Sequence, residues 1–233
     1  MNTQLIFSKK AMLFLGIGLG ILLAVLWTSQ PAAQAQKTGN DLKTLIRSFR
    51  AVFPNTSVWF MNTLPTDFLI VIGTLHRPRI DISSWQARMQ MPEVYADLAA
   101  VGLADARRLA FTLLTAGDDL AAYLGDGPLN TDDRSILAYS TYGAAYRSTI
   151  AANLVELLAC RVDPASYAVD PAESSGLLRQ HAARNETLFG HLAHWSGDER
   201  TALDHYRRGS ELLPGDGALA RLVAIAEQRS AGR

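Results

Sequence analysis

Two histidines in the C-terminal part of the chain are placed where they could act together. His191 and His194 are three residues apart, and in a helix this spacing puts both imidazoles on one face with Arg184 and Thr187. Histidine pairs of this kind occur in zinc sites, but such a site needs three or four convergent ligands, and His205 belongs to a different predicted helix. The four side chains therefore indicate either a partner-contact surface or a solvated helix face, and we expect no metal.

A second polar cluster combines two carboxylates with an arginine. Asp132 lies four positions after Pro128 and two after Asn130, and Asp133 and Arg134 follow it directly. Paired carboxylates can perform general acid–base catalysis. The same residue types also cap helices and satisfy tight turns, and no nucleophile or base accompanies them in the sequence. We therefore favour a structural role for Asn130, Asp132, Asp133 and Arg134.

The composition excludes several classes of protein. Lys and Arg together number 22, as do Asp and Glu, so the 233-residue chain is formally neutral and lacks the basic excess of a nucleic-acid binder. The only cysteine, Cys160, excludes an intramolecular disulfide and any multi-cysteine metal site. It follows Leu157, Leu158 and Ala159, which favours a buried thiol.

The first 35 residues have the pattern of an export or anchor signal. Lys9 and Lys10 precede an uncharged apolar run over residues 11–27, and Ala33-Gln34-Ala35 matches the small-x-small pattern cleaved by signal peptidases. An uncleaved single-pass anchor over residues 11–29 is the alternative, since a spanning helix needs about 20 apolar residues. Both alternatives place the body outside the cytoplasm, at a bacterial inner membrane or in the periplasm.

The body after this leader is predicted to be mostly helical with a small β-hairpin, an α+β arrangement. The hairpin comprises strands at 57–61 and 68–73, joined by a turn over residues 62–67. The second strand is apolar at every position, which predicts that both of its faces are covered and that other strands flank it. Apolar spacing and end signals predict helices at residues 41–53, 92–101, 104–116, 118–124, 143–161, 172–195 and 198–213, and from about 218.

Several segments between residues 41 and 146 resemble a known family. These are Phe53-Pro54-Asn55-Thr56-Ser57-Val58-Trp59, Asp67-Phe68-Leu69-Ile70-Val71-Ile72-Gly73, Trp85-Gln86-Ala87-Arg88, Asp97-Leu98-Ala99-Ala100-Val101-Gly102-Leu103 and Gly127-Pro128-Leu129-Asn130-Thr131-Asp132-Asp133-Arg134. Together they resemble the C-terminal part of the spermidine-synthase-like domain of bacterial membrane proteins that fuse a transporter-like half to an aminopropyltransferase half. Ser135 departs from the proline expected after the last motif.

The resemblance implies a partial Rossmann-like segment without its catalytic apparatus. In that family a glycine-rich loop holds the aminopropyl donor, and a catalytic aspartate lies near the fourth strand. Both precede the matched region and have no counterpart in this sequence; Gly16, Gly18 and Gly20 fall inside the apolar leader. We therefore expect no cofactor and no independent enzyme activity.

The tail, residues 147–233, resembles one to one-and-a-half tetratricopeptide repeats. With residue 183 as the first repeat position, the pattern is carried by Phe189, Gly190, Ala202, Tyr206, Gly209 and Pro214. Glu186 replaces the usual tryptophan. In this register Arg184, Thr187, His191 and His194 line the concave groove of the repeat. Because a free-standing array usually needs three repeats or more, the tail must pack on another part of the protein.

These observations predict a non-catalytic, membrane-anchored or exported accessory protein with the domains 1–35, 41–146 and 147–233. A protein partner, or a second copy of the chain, would bind through hairpin 57–73, with Phe68, Ile70 and Ile72 as contacts, through the repeat groove, or through both. One alternative is half of a split spermidine synthase whose donor-binding half is a separate chain; another is a gene fragment without a settled role.

Overall fold

The computed structural model describes residues 22–26, 35–64, 68–137, 150–170, 172 and 178–231, with side chains described from residue 41 onwards except at 178. These residues form four strands and nine helices. In chain order they are β1 (Leu22–Leu26), α1 (Ala35–Val52), β2 (Asn55–Phe60), β3 (Phe68–Thr74), α2 (Ile82–Met89), α3 (Pro92–Ala100), α4 (Ala106–Ala110), β4 (Leu113–Ala116), α5 (Gly117–Leu124), α6 (Ile150–Ala159), α7 (Leu178–Trp195), α8 (Glu199–Leu212) and α9 (Gly217–Ala231). A 3₁₀ turn, Pro164–Tyr167, lies between α6 and α7. The predicted mostly helical, α+β class is confirmed.

The strands form one antiparallel sheet in the order β1-β3-β2-β4. The predicted hairpin is its centre, where β2 and β3 pair from Asn55 opposite Thr74 to Phe60 opposite Leu69. β1, which comes from the predicted leader, extends the sheet along β3 with Leu22 opposite Ile72. The prediction that other strands flank the second strand is therefore confirmed, because β3 lies between β1 and β2, both from this chain.

Strand β4 corrects one predicted element. A single helix was predicted over residues 104–116, but α4 ends at Ala110 and residues 113–116 form the strand beside β2. All four residues of β4 are buried. A short, fully buried apolar run has no helix or strand periodicity of its own, so the tertiary environment decides its conformation.

Side chains of β3 alternate between two hydrophobic clusters on opposite faces of the sheet. Leu69 and Val71 are completely buried in a cluster that also contains Ile46 of α1 and Leu154 of α6. Ile70 and Ile72 are partly buried against a second cluster under α2 and α4. The all-apolar sequence of β3 is thus explained, as predicted, by cover on both faces.

The C-terminal helices α7, α8 and α9 pack side by side around a third cluster. Gly190 of α7 faces Tyr206 of α8 so closely that a Cβ on Gly190 would lie 2.3 Å from Cε1 of Tyr206. Tyr206 is itself only 2% exposed, and Ala202 beside it is completely buried. The small residue on one helix and the aromatic ring on the other allow the two helices to approach.

Aspartates cap the starts of α8 and α9. Asp198 accepts a hydrogen bond from the main-chain N–H of Thr201 at the start of α8, and Asp216 accepts two from Ala218 and Leu219 at the start of α9. Such caps satisfy N–H groups that the helix itself leaves unpaired. Gly102 follows α3 with a φ of 74°, a left-handed conformation that glycine adopts without strain.

Most of the predicted leader, including residues 11–21 and the start of the cleavage pattern at Ala33, lies outside the described residues, as do 65–67, 138–149 and 173–177. Among the helices that the structure describes, none combines the length and apolar character needed to cross a membrane.

Candidate functional site

His191 lies at the centre of a buried polar junction between the tail and the sheet. It is completely buried, and its Nε2 lies 3.1 Å from the main-chain oxygen of Asn62. A carbonyl oxygen only accepts, so Nε2 carries the proton and donates it. Nδ1 is then the acceptor for the hydroxyl of Tyr206 at 2.9 Å. Burial lowers the pKa of His191 to about 4, so the imidazole, which has a hydrogen bond at each nitrogen, stays neutral at physiological pH.

Arg184, two turns earlier on α7, crosses the same junction. Its side chain is 3% exposed and donates to the main-chain oxygens of Phe111 at 2.9 Å, Leu113 at 2.5 Å and Val162 at 3.2 Å. Within the described part of the chain it forms no ion pair with a carboxylate. Burial lowers its pKa to about 10, so it remains charged. Its described hydrogen bonds thus all go to carbonyl oxygens, and the Asp163 carboxylate stabilises its charge only through space.

A cavity of about 110 Å³ opens beside Arg184 and is lined mainly by polar side chains. Asn62 donates from Nδ2 to the Phe111 oxygen at 3.0 Å, while its Oδ1 is buried without a hydrogen-bond partner. Oε1 of Gln180 on α7 is buried and unpartnered in the same way. Arg108 of α4 also lines the cavity and forms an ion pair with Asp216, the residue that caps α9. Two buried amide oxygens beside the cavity are thus without a hydrogen-bond partner among the described residues.

The predicted groove residues meet this chain rather than an open surface. Arg184, Thr187 and His191 do share one face of α7, as the repeat register predicts, but all three are buried. Thr187 donates to the Ala183 oxygen at 2.8 Å within the helix. His194, near the end of α7, is partly buried and lies 2.8 Å from Glu199 at the start of α8. Residues of this chain around Asn62 and Phe111 contact this face of α7.

The motif containing Asn130 forms a turn docked on α1. Its main-chain N–H donates to Oγ of Ser48 at 2.7 Å, and its Oδ1 accepts from the N–H of Leu137 at 2.9 Å. Asp132 and Asp133 are exposed, and the turn closes through paired main-chain bonds between Thr131 and Arg134. The two carboxylates thus lie in solvent on a turn closed by main-chain bonds, a geometry that favours a structural role.

Arg47 of α1 contacts the segment that leads into the same turn. Its guanidinium donates two hydrogen bonds, of 2.9 and 2.8 Å, to the Leu124 oxygen at the end of α5. The group lies over Gly127, where a Cβ would approach the guanidinium carbon to 2.5 Å. The glycine that opens the motif therefore leaves room for Arg47.

The predicted contacts on the hairpin share one face of β3, where Ile70 and Ile72 pack against the cluster under α2 and α4. Phe68, Ile70 and Ile72 are each partly exposed. Each lies opposite a residue of β1: Phe68 faces Leu26, Ile70 faces Ala24 and Ile72 faces Leu22. The structure thus assigns the edge of β3 to a strand from the predicted leader.

No cluster of three or more metal-binding side chains occurs among the described residues. Cys160 is partly buried, and its thiol donates to the Leu157 oxygen at 3.2 Å. Burial raises the pKa of this thiol, which disfavours the nucleophilic thiolate.

Sequence reasoning missed the residues that complete the junction. Asn62 was assigned only to a turn, and Gln180, Arg108 and Asp216 carried no motif. The one available signal was the alternation of polar and apolar side chains along α7. This pattern identifies a polar face on the helix but does not show which residues contact that face.

The geometry thus defines a mostly helical α+β protein with a polar junction at its centre. The chain matches no protein-family model, no curated protein and no solved structure.

Proposed function

We propose that this chain is a non-catalytic accessory protein, exported or anchored by its leader, that receives an extended segment of a partner protein along the edge of β3. The observation that carries the proposal is the pairing of β1 with β3. Five consecutive residues, Leu22–Leu26, complete the sheet there in an antiparallel register. The edge is therefore compatible with an added strand, and main-chain hydrogen bonds would supply much of the affinity.

The two roles of Leu22–Leu26 exclude each other. These residues lie inside the apolar run of the leader, and a segment that spans a bilayer or is removed by a peptidase cannot pair with β3. Cleavage after Ala35 would take away β1 yet leave α1 almost complete, because that helix begins at Ala35. In the exported form the edge of β3 would present unpaired main-chain groups, which favour pairing with another chain.

The sequence of β1 indicates the chemistry of the partner segment. Leu-Leu-Ala-Val-Leu is uncharged and apolar, and it lies beside the partly exposed Phe68, Ile70 and Ile72. We therefore expect a short extended apolar segment of a different protein in antiparallel orientation. A second copy of this chain is an alternative occupant of the edge, and the experiments below distinguish it.

The resemblance to the spermidine-synthase-like domain agrees with this function in one respect. In that family the last strand lies between two neighbours, and β3 has one permanent neighbour in β2. The close contact of Gly190 with Tyr206 also agrees with a tetratricopeptide-like hairpin. Because Arg184, Thr187 and His191 are buried by this chain, the sheet edge is the better candidate for partner contact than the groove. In the alternative function, half of a split aminopropyltransferase, the same edge would receive the donor-binding half.

Hydrogen exchange tests whether the edge accepts a strand. Amides of residues 68–74 should exchange faster in a chain that begins at Gln36 than in the full chain. A synthetic peptide carrying Leu22–Leu26 between lysine flanks should restore their protection. The same peptide with Ala24→Pro should not, because proline removes a hydrogen-bond donor from the ladder. If amides 68–74 are fully protected in a monomeric sample of the chain that begins at Gln36, without peptide, the edge of β3 is not open and the proposal is contradicted.

Two further measurements address export and the partner. An alkaline-phosphatase fusion after Lys43 should be active, because this reporter works only outside the cytoplasm. A photo-crosslinker at Phe68 should capture one defined apolar segment, whereas one at Val155, which is 54% exposed on α6, should not. Ile70→Lys should abolish the Phe68 crosslink, and Val155→Lys should leave it. A crosslink to a second copy of this chain would show that the β3 edge forms a homodimer instead of binding a different protein.

A further inference from the structure

Two exposed apolar side chains lie at the end of the sheet where β2 begins and β3 ends. Val52, the last residue of α1, is 68% exposed, and Leu75, directly after β3, is 62% exposed. Among the large apolar side chains that the structure describes, these two are the most exposed. A surface that concentrates exposed apolar side chains is typical of a contact with a partner or a membrane.

Contacts between the two segments hold these side chains on one surface. Asn55, the first residue of β2, donates from Nδ2 to the Leu75 oxygen at 3.0 Å. Phe53, which directly follows Val52, packs on β3 so closely that a Cβ on Gly73 would lie 2.5 Å from Cβ of Phe53. Val52 and Leu75 are therefore parts of one surface at this end of the sheet.

The sheet tip, defined as residues 50–55 and 73–79, is basic. Its charged side chains are Arg50, Arg77 and Arg79, and its sequence contains no Asp or Glu. Arg77 and Arg79 are exposed, and Arg50 is partly exposed. The tip thus carries three positive charges next to its two exposed apolar side chains.

Carboxylates of neighbouring elements border the sheet tip. The guanidinium carbon of Arg77 lies 5.5 Å from the centre of the Tyr167 ring, and Asp118 and Asp119 of α5 act on the same ring through space. Asp81 caps α2 with its side chain. The arginines of the tip take part in none of the ion pairs that the structure describes, so their charges remain available for an external anion.

The topology brings the leader to the same end of the sheet. β1 begins at Leu22, opposite Ile72, so the apolar residues 11–21 join the sheet beside the tip. With Leu22–Leu26 paired to β3, this apolar run is eleven residues long, whereas a bilayer span needs about 20. A run of this length is typical of a segment that enters the interface of a bilayer without crossing it.

A bilayer that contains anionic lipids fits both properties of the tip. Basic side chains are attracted by anionic headgroups, and apolar side chains beside them enter the boundary between headgroups and acyl chains. We propose that the sheet tip docks on an anionic lipid bilayer, with its two exposed apolar side chains at the acyl boundary and its three arginines against the headgroup phosphates. Docking uses residues of the body, so it depends neither on cleavage of the leader nor on strand addition at β3.

An environment-sensitive fluorophore on the full chain tests which surface meets the bilayer. In a Cys160→Ser background, Leu75→Cys carries the label at the tip, and Ala220→Cys carries it at an exposed position of α9. Protein in a mild detergent is diluted into vesicles of phosphatidylglycerol and phosphatidylcholine. The label at the tip should become protected from aqueous iodide, whereas the label on α9 should not. An unprotected tip label, or equal protection at both positions, would overturn the proposal.

A second test removes the charges of the two exposed arginines. Arg77→Gln combined with Arg79→Gln should lower the docking equilibrium, measured as the ratio of protected to unprotected tip label, about tenfold or more. Arg200→Gln combined with Arg221→Gln, at exposed positions of the tail, should leave the ratio unchanged. Arg77→Lys combined with Arg79→Lys keeps the charges and should retain docking.

Lipid charge supplies a test that needs no change in the arginines. Vesicles of pure phosphatidylcholine should protect the tip label much less than the anionic vesicles do, and added salt should reduce the difference. Equal protection in neutral vesicles, or in the paired glutamine variant, would refute an anionic bilayer as the occupant. Hydrogen exchange of residues 68–74 reports on the β3 edge instead, so this proposal and the proposed function can fail separately.

Discussion

The hydroxyl of Tyr206 donates to Nδ1 of His191, so the aromatic residue that fills the α7–α8 interface also fixes the tautomer of the histidine at the sheet. The two rings meet edge to face, with centroids 5.5 Å apart. Each has two functions, because the contact that packs the helices also holds Nε2–H on the Asn62 oxygen. Disturbing either ring is therefore expected to affect both the helical tail and its junction with the sheet.

His191 should make the stability of the protein depend on pH. Its folded pKa, about 4, lies below the value of 6.5 for a free histidine. Between these values the unfolded state binds a proton that the folded state does not, so stability falls as pH decreases through this window. The contribution is at most about 1.4 kcal/mol per pH unit, and it is fully present above pH 6.5.

Urea unfolding of wild type and His191→Gln at a series of pH values checks this prediction. Glutamine keeps an N–H donor near the Nε2 position but does not titrate, so the slope between pH 6.5 and 4 should decrease by about one proton. His181, whose pKa is also lowered by burial, remains in both proteins and supplies a common background. Identical slopes would show that His191 is not the responsible group.

Gly190→Ala should destabilise the tail through a steric clash with Tyr206. The added methyl would lie 2.3 Å from the ring, and overpacking of this kind costs about 1–3 kcal/mol. Gly217→Ala is the matched control, because a Cβ there meets no atom within 4 Å. Urea midpoints measure both, and Tyr206→Leu combined with Gly190→Ala should recover part of the loss relative to the two separate changes. Equal midpoints for Gly190→Ala and Gly217→Ala would contradict the clash.

Asn130→Ala should cost about 0.5–1.5 kcal/mol of stability, because its Oδ1 accepts from the N–H of Leu137. The exposed Asp132→Ala should change the free energy of unfolding by no more than about 0.5 kcal/mol. Chemical denaturation of both variants checks the difference. A larger effect at Asp132 than at Asn130 would argue against the turn as the reason for this motif.

The full chain should show no measurable affinity for a decarboxylated S-adenosylmethionine-type donor, because the sequence lacks the donor loop of the family it resembles. Isothermal titration, with a catalytically competent spermidine synthase as positive control, checks this expectation. Micromolar binding would remove the basis for a non-catalytic function, and binding only after addition of a separate chain would favour the split enzyme.

Predictions from the sequence succeeded where local chemistry decides the structure. The helices predicted from residues 92 and 198 begin there: Pro92 is the first residue of α3, and Asp198 caps α8. The continuous apolar run of β3 also predicted its environment correctly, since such a run is typical of a strand that is covered on both faces.

Predictions failed where distant contacts decide. The run Leu113–Ala116 becomes a strand because β2 is available beside it, and no local signal distinguishes this from the end of a helix. Likewise the register of α7 correctly placed Arg184 and His191 on one face. What covers that face depends on residues about 70 and 129 positions away, at Phe111 and Asn62, and polar residue types alone favoured solvent or a partner.

Helix α7 belongs to two hydrophobic cores at once. Leu188 packs into the cluster on the sheet, whereas Ala183 packs into the cluster between α7, α8 and α9. Melting of the tail would therefore uncover the sheet, and loss of the sheet would leave Arg184 and His191 without the carbonyl oxygens that hold them. The boundary near residue 147 separates two segments that resemble different families. Because α7 joins their cores, the two segments form one cooperative unit, and a single unfolding transition should include both segments.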